Sequence, residues 1–378
     1  MPSLSDLDIP QLADLLGSWG HPRTHAAPLL RQFYNTGGAP PDESRVGPAL
    51  LARLRAELVD RTTTIAARRQ ATDGTVKLLV AVPQTSPTDA PTAHRRLPTA
   101  HSSTVECVLM PSHLPDRAAG CVSSQVGCAM GCDFCASTKA GVERSLTAGE
   151  IVEQFLHLRR EALALGRRLR TIVFMGMGEP MLNYDNVAAA VRRIAGGGLG
   201  ALGFRHVTVS TVGIVPGIDR LRADNLGVHL AVSLHAPDDD TRAAIVPTGR
   251  RYRVADILAA VRRYQAESGQ IATIEYTLLD GVNDSDAQAQ LLADLLNHGE
   301  TDPRAPRAQR PRVNLIPYNA IGSGVSGREY RRPADQRMNR FLGILRDRGI
   351  VAHVRRTRGH DIDGACGQLR ETVATPVG

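Results

Sequence analysis

Lysine is nearly missing from this 378-residue chain: only Lys77 and Lys139 are lysines, and the other 43 basic residues are arginines. A GC-rich coding sequence favours arginine codons and accounts for most of that skew. Long apolar runs are missing too. No stretch of about 18 apolar residues occurs, which excludes a membrane-spanning helix. Residues 1–10 hold neither a basic nor an apolar stretch, so no signal peptide is expected. Evenly spaced cysteines are also lacking. The six present do not read as a disulfide framework, and in a reducing cytosol they read as metal or catalytic groups. No internal repeat is visible.

What is there begins with Cys128, Cys132 and Cys135, a Cys-x3-Cys-x2-Cys run in Gly127-Cys-Ala-Met-Gly-Cys-Asp-Phe-Cys135. A zinc site normally joins one close Cys pair to a second Cys or His pair, and the chain has no such second pair. Three thiolates on one loop suit three irons of a [4Fe–4S] cluster. The fourth iron is left open for a ligand, where four cysteines would close the cluster for electron transfer. S-adenosylmethionine, chelating through its amine and carboxylate, is the expected guest.

Net charge is +7, and residues 301–378 hold 15 Arg against 7 Asp plus Glu, so the rest is near neutral. A basic excess confined to one end is what a phosphate backbone needs. Arg355, Arg356 and Arg358 are expected to face RNA. With 42% hydrophobic residues the chain can bury a core, and its length suits one catalytic domain with an accessory module.

Helical spacing in 9–16, 26–34 and 50–58 predicts a small helical domain over residues 1–60. Residues 61–117 read as a β-rich extension, with strands at 75–82 and 104–110 and a polar, proline-rich loop at 83–101. From 118 to 370 strands and helices alternate. Strands are expected near 121–126, 171–175, 206–211, 228–234, 271–278 and 312–317, with helices at 148–165, 254–267 and 286–296. A last strand is expected at 351–358, and 371–378 is a tail. Six βα units predict an α/β fold with a parallel sheet, whose ligands sit at the carboxyl ends of the strands.

The motifs Cys121-Val-Ser-Ser-Gln-Val-Gly-Cys128, Gly176-Met-Gly-Glu-Pro180, Ala231-Val-Ser-Leu-His-Ala-Pro237, Asn314-Leu-Ile-Pro-Tyr-Asn319 and Thr357-Arg-Gly-His-Asp-Ile-Asp-Gly-Ala-Cys-Gly-Gln368 fall mostly at such ends. Together they resemble the RlmN/Cfr family of radical S-adenosylmethionine RNA adenine methyltransferases, over residues 10–370, and look closer to RlmN. The resemblance implies a partial (β/α)6 barrel, a [4Fe–4S] cluster and S-adenosylmethionine. It implies methylation of adenine carbon 2 in 23S rRNA and, in some members, tRNA. A low-potential electron donor such as a flavodoxin, a cytoplasmic setting and a monomer are expected with it.

Carried over residue by residue, the resemblance assigns the cofactor to Gly178, Glu179, Ser210, Ser233, Leu234, His235 and Asn319. In that family one S-adenosylmethionine methylates the cysteine matching Cys366. A second yields a 5′-deoxyadenosyl radical that takes hydrogen from the methyl, and the carbon radical adds to adenine. Cys121 then helps release the product through a transient disulfide with Cys366, and Glu106 takes the adenine proton. Cys107 has no role in that scheme and reads as structural; Glu143 and Arg144 are unassigned. Two other readings stay open: a Cfr-like adenine-C8 methyltransferase linked to antibiotic resistance, and a non-catalytic RNA-binding protein with an iron–sulfur or zinc centre.

Overall fold

The computed structural model describes residues 3–41, 46–59, 61–83, 103–297 and 310–369. Most of the 83–101 loop and the 371–378 tail therefore lie outside the described residues. Three helices open the chain: α1 (Ile9–Ser18), α2 (Ala26–Asn35) and α3 (Pro48–Glu57). Asp8 starts α1 with a reciprocal cap: its carboxylate accepts the Gln11 N–H, and the Gln11 side chain accepts the Asp8 N–H. Leu12, Leu16, Leu30 and Phe33 are buried, as the spacing predicts.

This module is tied to α4 (Ala148–Ala164). The buried Glu153 carboxylate of α4 accepts from Ser5 Oγ at 2.6 Å, Thr62 N at 2.9 Å and Thr63 N at 2.7 Å. A buried carboxylate without such donors would cost several kcal/mol, so the contact fixes how the two parts meet.

Strands β1 (Thr64–Gln70), β2 (Val76–Val82) and β3 (Ser103–Pro111) form an antiparallel meander. They continue directly into the parallel part of the same sheet. Strand β4 (Arg117–Cys121) pairs antiparallel with β3, while β5 (Gln125–Gly127) and β6 (Val142–Ser145) form a separate hairpin. On its other side β4 pairs parallel with β7 (Arg168–Phe174). Parallel pairing goes on through β8 (Val207–Thr211), β9 (His229–Ser233), β10 (Thr273–Leu278), β11 (Arg312–Pro317) and β12 (Ala352–Val354). The crossovers are α4, α5 (Tyr184–Ala195), α6 (Val215–Asp224), α7 (Asp239–Ile245), α8 (Val254–Ser268), α9 (Asp286–Asn297) and α10 (Asp335–Asp347). The order runs linearly from β1 to β12, so the barrel is partial. No helix of the described residues is long and apolar enough to cross a membrane.

Two expected strands differ. The strand expected at 121–126 is split, with β4 ending at Cys121 and β5 starting at Gln125. The Gln154 side chain takes both backbone groups of Ser123 (2.8 and 3.0 Å), which draws the chain out of the ladder. The strand expected at 351–358 is three residues long. Beyond it the chain crosses to the far end of the sheet, where Arg358 Nη1 donates to the Pro111 carbonyl and Asp361 accepts the Thr72 N–H. The segment carrying Cys366 thus spans from the β12 edge to the β1–β3 meander.

Candidate active site

The cluster loop is shaped by backbone bonds. Cys128 N–H donates to the Gly141 carbonyl and Asp133 N–H to Ile245, both at 2.9 Å. At Gly127 (φ +74°) a Cβ would lie 2.0 Å from the Gly141 oxygen, so only glycine fits. Asp133, between two of the cysteines, accepts from Ser326 N (2.7 Å), Ser326 Oγ (2.5 Å) and Tyr330 Oη (2.8 Å). Behind the loop lies Arg242, 1% exposed, whose Nε donates to the Leu234 carbonyl at 3.1 Å. Its Nη1 is buried without a partner, and its charge favours the thiolate of Cys132.

Burial pushes the Cys128 thiol up to about 12 and raises Cys132 and Cys135; Cys135 adds to the rise at Cys128 and Cys132, and Cys366 to that at Cys135. Three thiols on one loop, two buried and one half-buried, stay ionised together only if a cationic group joins them. Among the described residues no three His, Cys, Asp or Glu side chains converge on one point, as the short bonds of a single zinc ion require. Three thiols on one short loop are the donor set that suits three irons of a [4Fe–4S] cluster, one thiolate to each.

Ser123 and Gln125 join this loop to the turn after β7. Ser123 Oγ accepts the Met177 N–H at 2.8 Å and donates to the Glu106 carbonyl at 2.7 Å. Gln125 Oε1 accepts the Glu179 N–H at 2.9 Å. Gly178 (φ +96°) passes so close that a Cβ would lie 2.6 Å from the Gln125 Cβ. The Glu179 carboxylate is buried and accepts Met181 N (3.0 Å) and Val212 N (2.8 Å), while burial pushes its pKa up to about 7.

Ser210 and Ser233 stand at or near the ends of β8 and β9, and Leu234 is fully buried. His235 adopts a left-handed backbone (φ +61°), a strained state for a non-glycine residue. Its Nδ1 accepts the Thr277 N–H at 3.0 Å, and burial lowers its pKa to about 3. The neutral ring therefore carries its proton on Nε2. It meets Phe134 of the cluster loop edge to face at 4.8 Å.

Cys121 and Cys366, far apart in the chain, line one cavity of about 570 Å3. Both are free thiols. Asn319 Nδ2 donates to the Cys366 carbonyl at 3.0 Å, and its Oδ1 is buried without a partner. An orphaned buried acceptor on a residue that lines the cavity points to a ligand with a donor. Burial, then the charge on Cys366, pushes the Cys121 thiol up to about 12. Cys107 is fully buried on the opposite face of β3 from Val108, which lines the cavity. Glu106 shares the phase of Val108 but is 1% exposed and bonded to Lys77 Nζ at 2.9 Å. Breaking such a pair typically costs about 3–5 kcal/mol. Glu143 accepts from Ser103 Oγ and Arg144 forms a two-pronged pair with Glu150 (2.8 and 2.7 Å), so these two brace the β5–β6 hairpin.

The sequence reading missed a polar layer inside the cavity. Glu275, raised by burial, accepts from Asn314 Nδ2 at 2.9 Å. The charge on Cys366 raises the Arg355 guanidinium against its burial, with Glu275 and Cys121 adding to it. A carboxylate inside the apolar strand Ile274-Glu-Tyr-Thr-Leu278 was the available signal. Arg355 is half-buried and lines the cavity that holds both thiols. Arg358 is held by Pro111, and Arg356 alone of the three is exposed. Arg356→Ala should flatten the slope of log RNA affinity against log salt by about 1. Arg358→Ala should leave the slope unchanged, and salt titrations of binding check both.

Residues 122–291 match the radical SAM superfamily. The chain is 53% identical to a probable dual-specificity RNA methyltransferase RlmN 1 of Opitutus terrae, over 98% of this chain and 97% of that protein. It is 40% identical to a probable dual-specificity RNA methyltransferase RlmN of Symbiobacterium thermophilum, over 97% and 91%. A crystal structure of a radical SAM methyltransferase from Sphaerobacter thermophilus superposes with a TM-score of 0.84 at 41% identity, over 98% of this chain and 99% of that one.

Proposed function

The chain belongs to the RlmN family of radical S-adenosylmethionine methyltransferases, and from that premise we propose that it methylates carbon 2 of adenine in 23S rRNA and tRNA. The observation that carries the proposal is the shared cavity of Cys121 and Cys366 next to the cluster loop. Adenine C2 is electrophilic and cannot take a methyl group by simple polar transfer. A protein-borne carbon must be delivered to it and then released.

Cys128, Cys132 and Cys135 would hold the cluster. Gly178, Glu179, Ser210, Ser233, Leu234, His235 and Asn319 would hold S-adenosylmethionine. Bound there, this pair supplies the methyl group and, with an electron from a flavodoxin-like donor, a carbon-centred radical. The chain's own residues do the rest. Cys366 accepts the methyl on sulfur and presents it to the base. Once the carbon bridges Cys366 and adenine, the adduct gives up its unpaired electron, which the cluster would take back, and Glu106 takes the proton from C2. The sulfur of Cys121 attacks that of Cys366, and a disulfide forms as the sulfur–methylene bond breaks. The bond's electron pair stays with the methylene carbon, which takes a proton and becomes the methyl group.

The reconstituted protein, given S-adenosylmethionine, reductant and 23S rRNA fragments, should yield 2-methyladenosine. Digestion followed by mass spectrometry and chromatography identifies it. Finding 8-methyladenosine instead would move the chain to Cfr-like chemistry, and an unmodified base would refute catalysis.

A further inference from the structure

One of the two lysines lies beside the base. Lys77 Nζ is 2.9 Å from Glu106 Oε1, with the two side chains 5% and 1% exposed, and it donates to the Asp363 carbonyl at 3.2 Å. Asp363 lies three residues before Cys366. In the β2–β3 register Lys77 stands across from Val108 and Leu79 across from Glu106. Lys77 and Glu106 are therefore diagonal neighbours on the face whose Val108 and Met110 line the cavity.

We propose that Lys77 is a positioning residue that sets the Glu106 carboxylate for proton removal and links that setting to the seated Cys366 loop through Asp363. The proposal rests on the reading that Glu106 is the base. An ammonium is a compact charge with three donors that can point in different directions, whereas a guanidinium is a wide planar fork. A buried site that must reach a carboxylate on one strand and a carbonyl on a crossing loop favours the former. That gives a physical reason for a lysine here in a chain that uses arginine almost everywhere else.

The same loop is fastened nearby by Gly359 N–H on Asp73 Oδ2 (3.1 Å) and Thr72 N–H on Asp361 Oδ2 (2.9 Å). Its seating is thus a property of the β1–β2 turn and Lys77 together. If the loop lifts, Lys77 loses a buried acceptor and Glu106 loses its fixed partner. When adenine C2 gives up its proton, Glu106 becomes a neutral acid and Lys77 remains an ammonium held by Asp363.

The test compares K77M, E106Q and K77M/E106Q in full-length, cluster-loaded protein. K77M should retain iron, carry the methyl on Cys366 and form the RNA adduct, yet resolve it about 100-fold more slowly. The double variant removes both buried charges together, which proteins tolerate better than removing one, so it keeps the test open if K77M folds poorly. Acting through Glu106, Lys77 should add nothing in that background: K77M/E106Q should resolve no more slowly than E106Q. Resolution of K77M at the wild-type rate, loss of its Cys366 methyl, or a double variant slower than E106Q would each overturn the proposal. A wild-type protein with neither methylated Cys366 nor adduct would instead refute the reading of the site itself.

Discussion

Cys121→Ala protein should accumulate joined covalently to RNA. Its Cys366 should still be methylated, and the carbon–sulfur–carbon bridge to adenine should still form. Release should then stop, because disulfide exchange needs a second thiol within reach and the described residues lining the cavity offer no other. The described residues contain six free cysteines. Three belong to the cluster loop, and Cys107 is fully buried on the far face of β3. Cys121 is well guarded until that moment: burial holds it as a thiol, with a pKa pushed up to about 12, which disfavours early oxidation against Cys366. Arg355, in the same cavity, pulls in the other direction and favours whichever sulfur becomes anionic. Gel mobility and intact mass should show a nuclease-sensitive increase in the variant and none in Cys366→Ala, which should carry no methyl. Normal turnover by Cys121→Ala, or adenine methylation by Cys366→Ala, would rule out the thiol pair as the machinery.

The parallel sheet was legible because buried strands leave short apolar runs punctuated by turns, and β7 to β11 lie within three residues of where those runs place them. The cluster loop was legible because local spacing carries its chemistry. What the sequence concealed depends on contacts between distant segments. The break after Cys121 is made by Gln154, a side chain on a later helix. Arg355 reads as one more basic residue in an arginine-rich end, yet the crossing of the chain after β12 turns it toward Cys121, Cys366 and Glu275. Arg242 gave no periodic or motif signal either, although it is a buried cation beside Cys132. Lys77 stood out only as a rare residue type, and its meaning came from the carboxylate across the strand and the carbonyl on the crossing loop.

Replacing Cys128, Cys132 and Cys135 together by alanine should take iron content from about four per chain to near zero and abolish the visible thiolate-to-iron absorption. Three ligands are the minimum the open cluster can have, so no fourth cysteine can compensate by holding it through a closed site. The fold should survive the change. The loop is fixed by bonds that involve no thiol: Cys128 N–H to Gly141, Asp133 N–H to Ile245, Thr248 Oγ1 to the Met130 carbonyl at 3.1 Å, and Lys139 Nζ to the Ile321 carbonyl at 2.7 Å. Without metal, burial holds these groups as neutral thiols, so their replacement removes no buried charge. Anaerobic iron and sulfide analysis should therefore show the loss while far-ultraviolet circular dichroism stays as in the parent. The alanine protein should also leave Cys366 unmethylated, since in the proposed function S-adenosylmethionine held at the cluster loads the methyl carrier. Full iron and sulfide in the triple variant would show that these cysteines are not the ligands; loss of the dichroism would show that the loop depends on the metal after all.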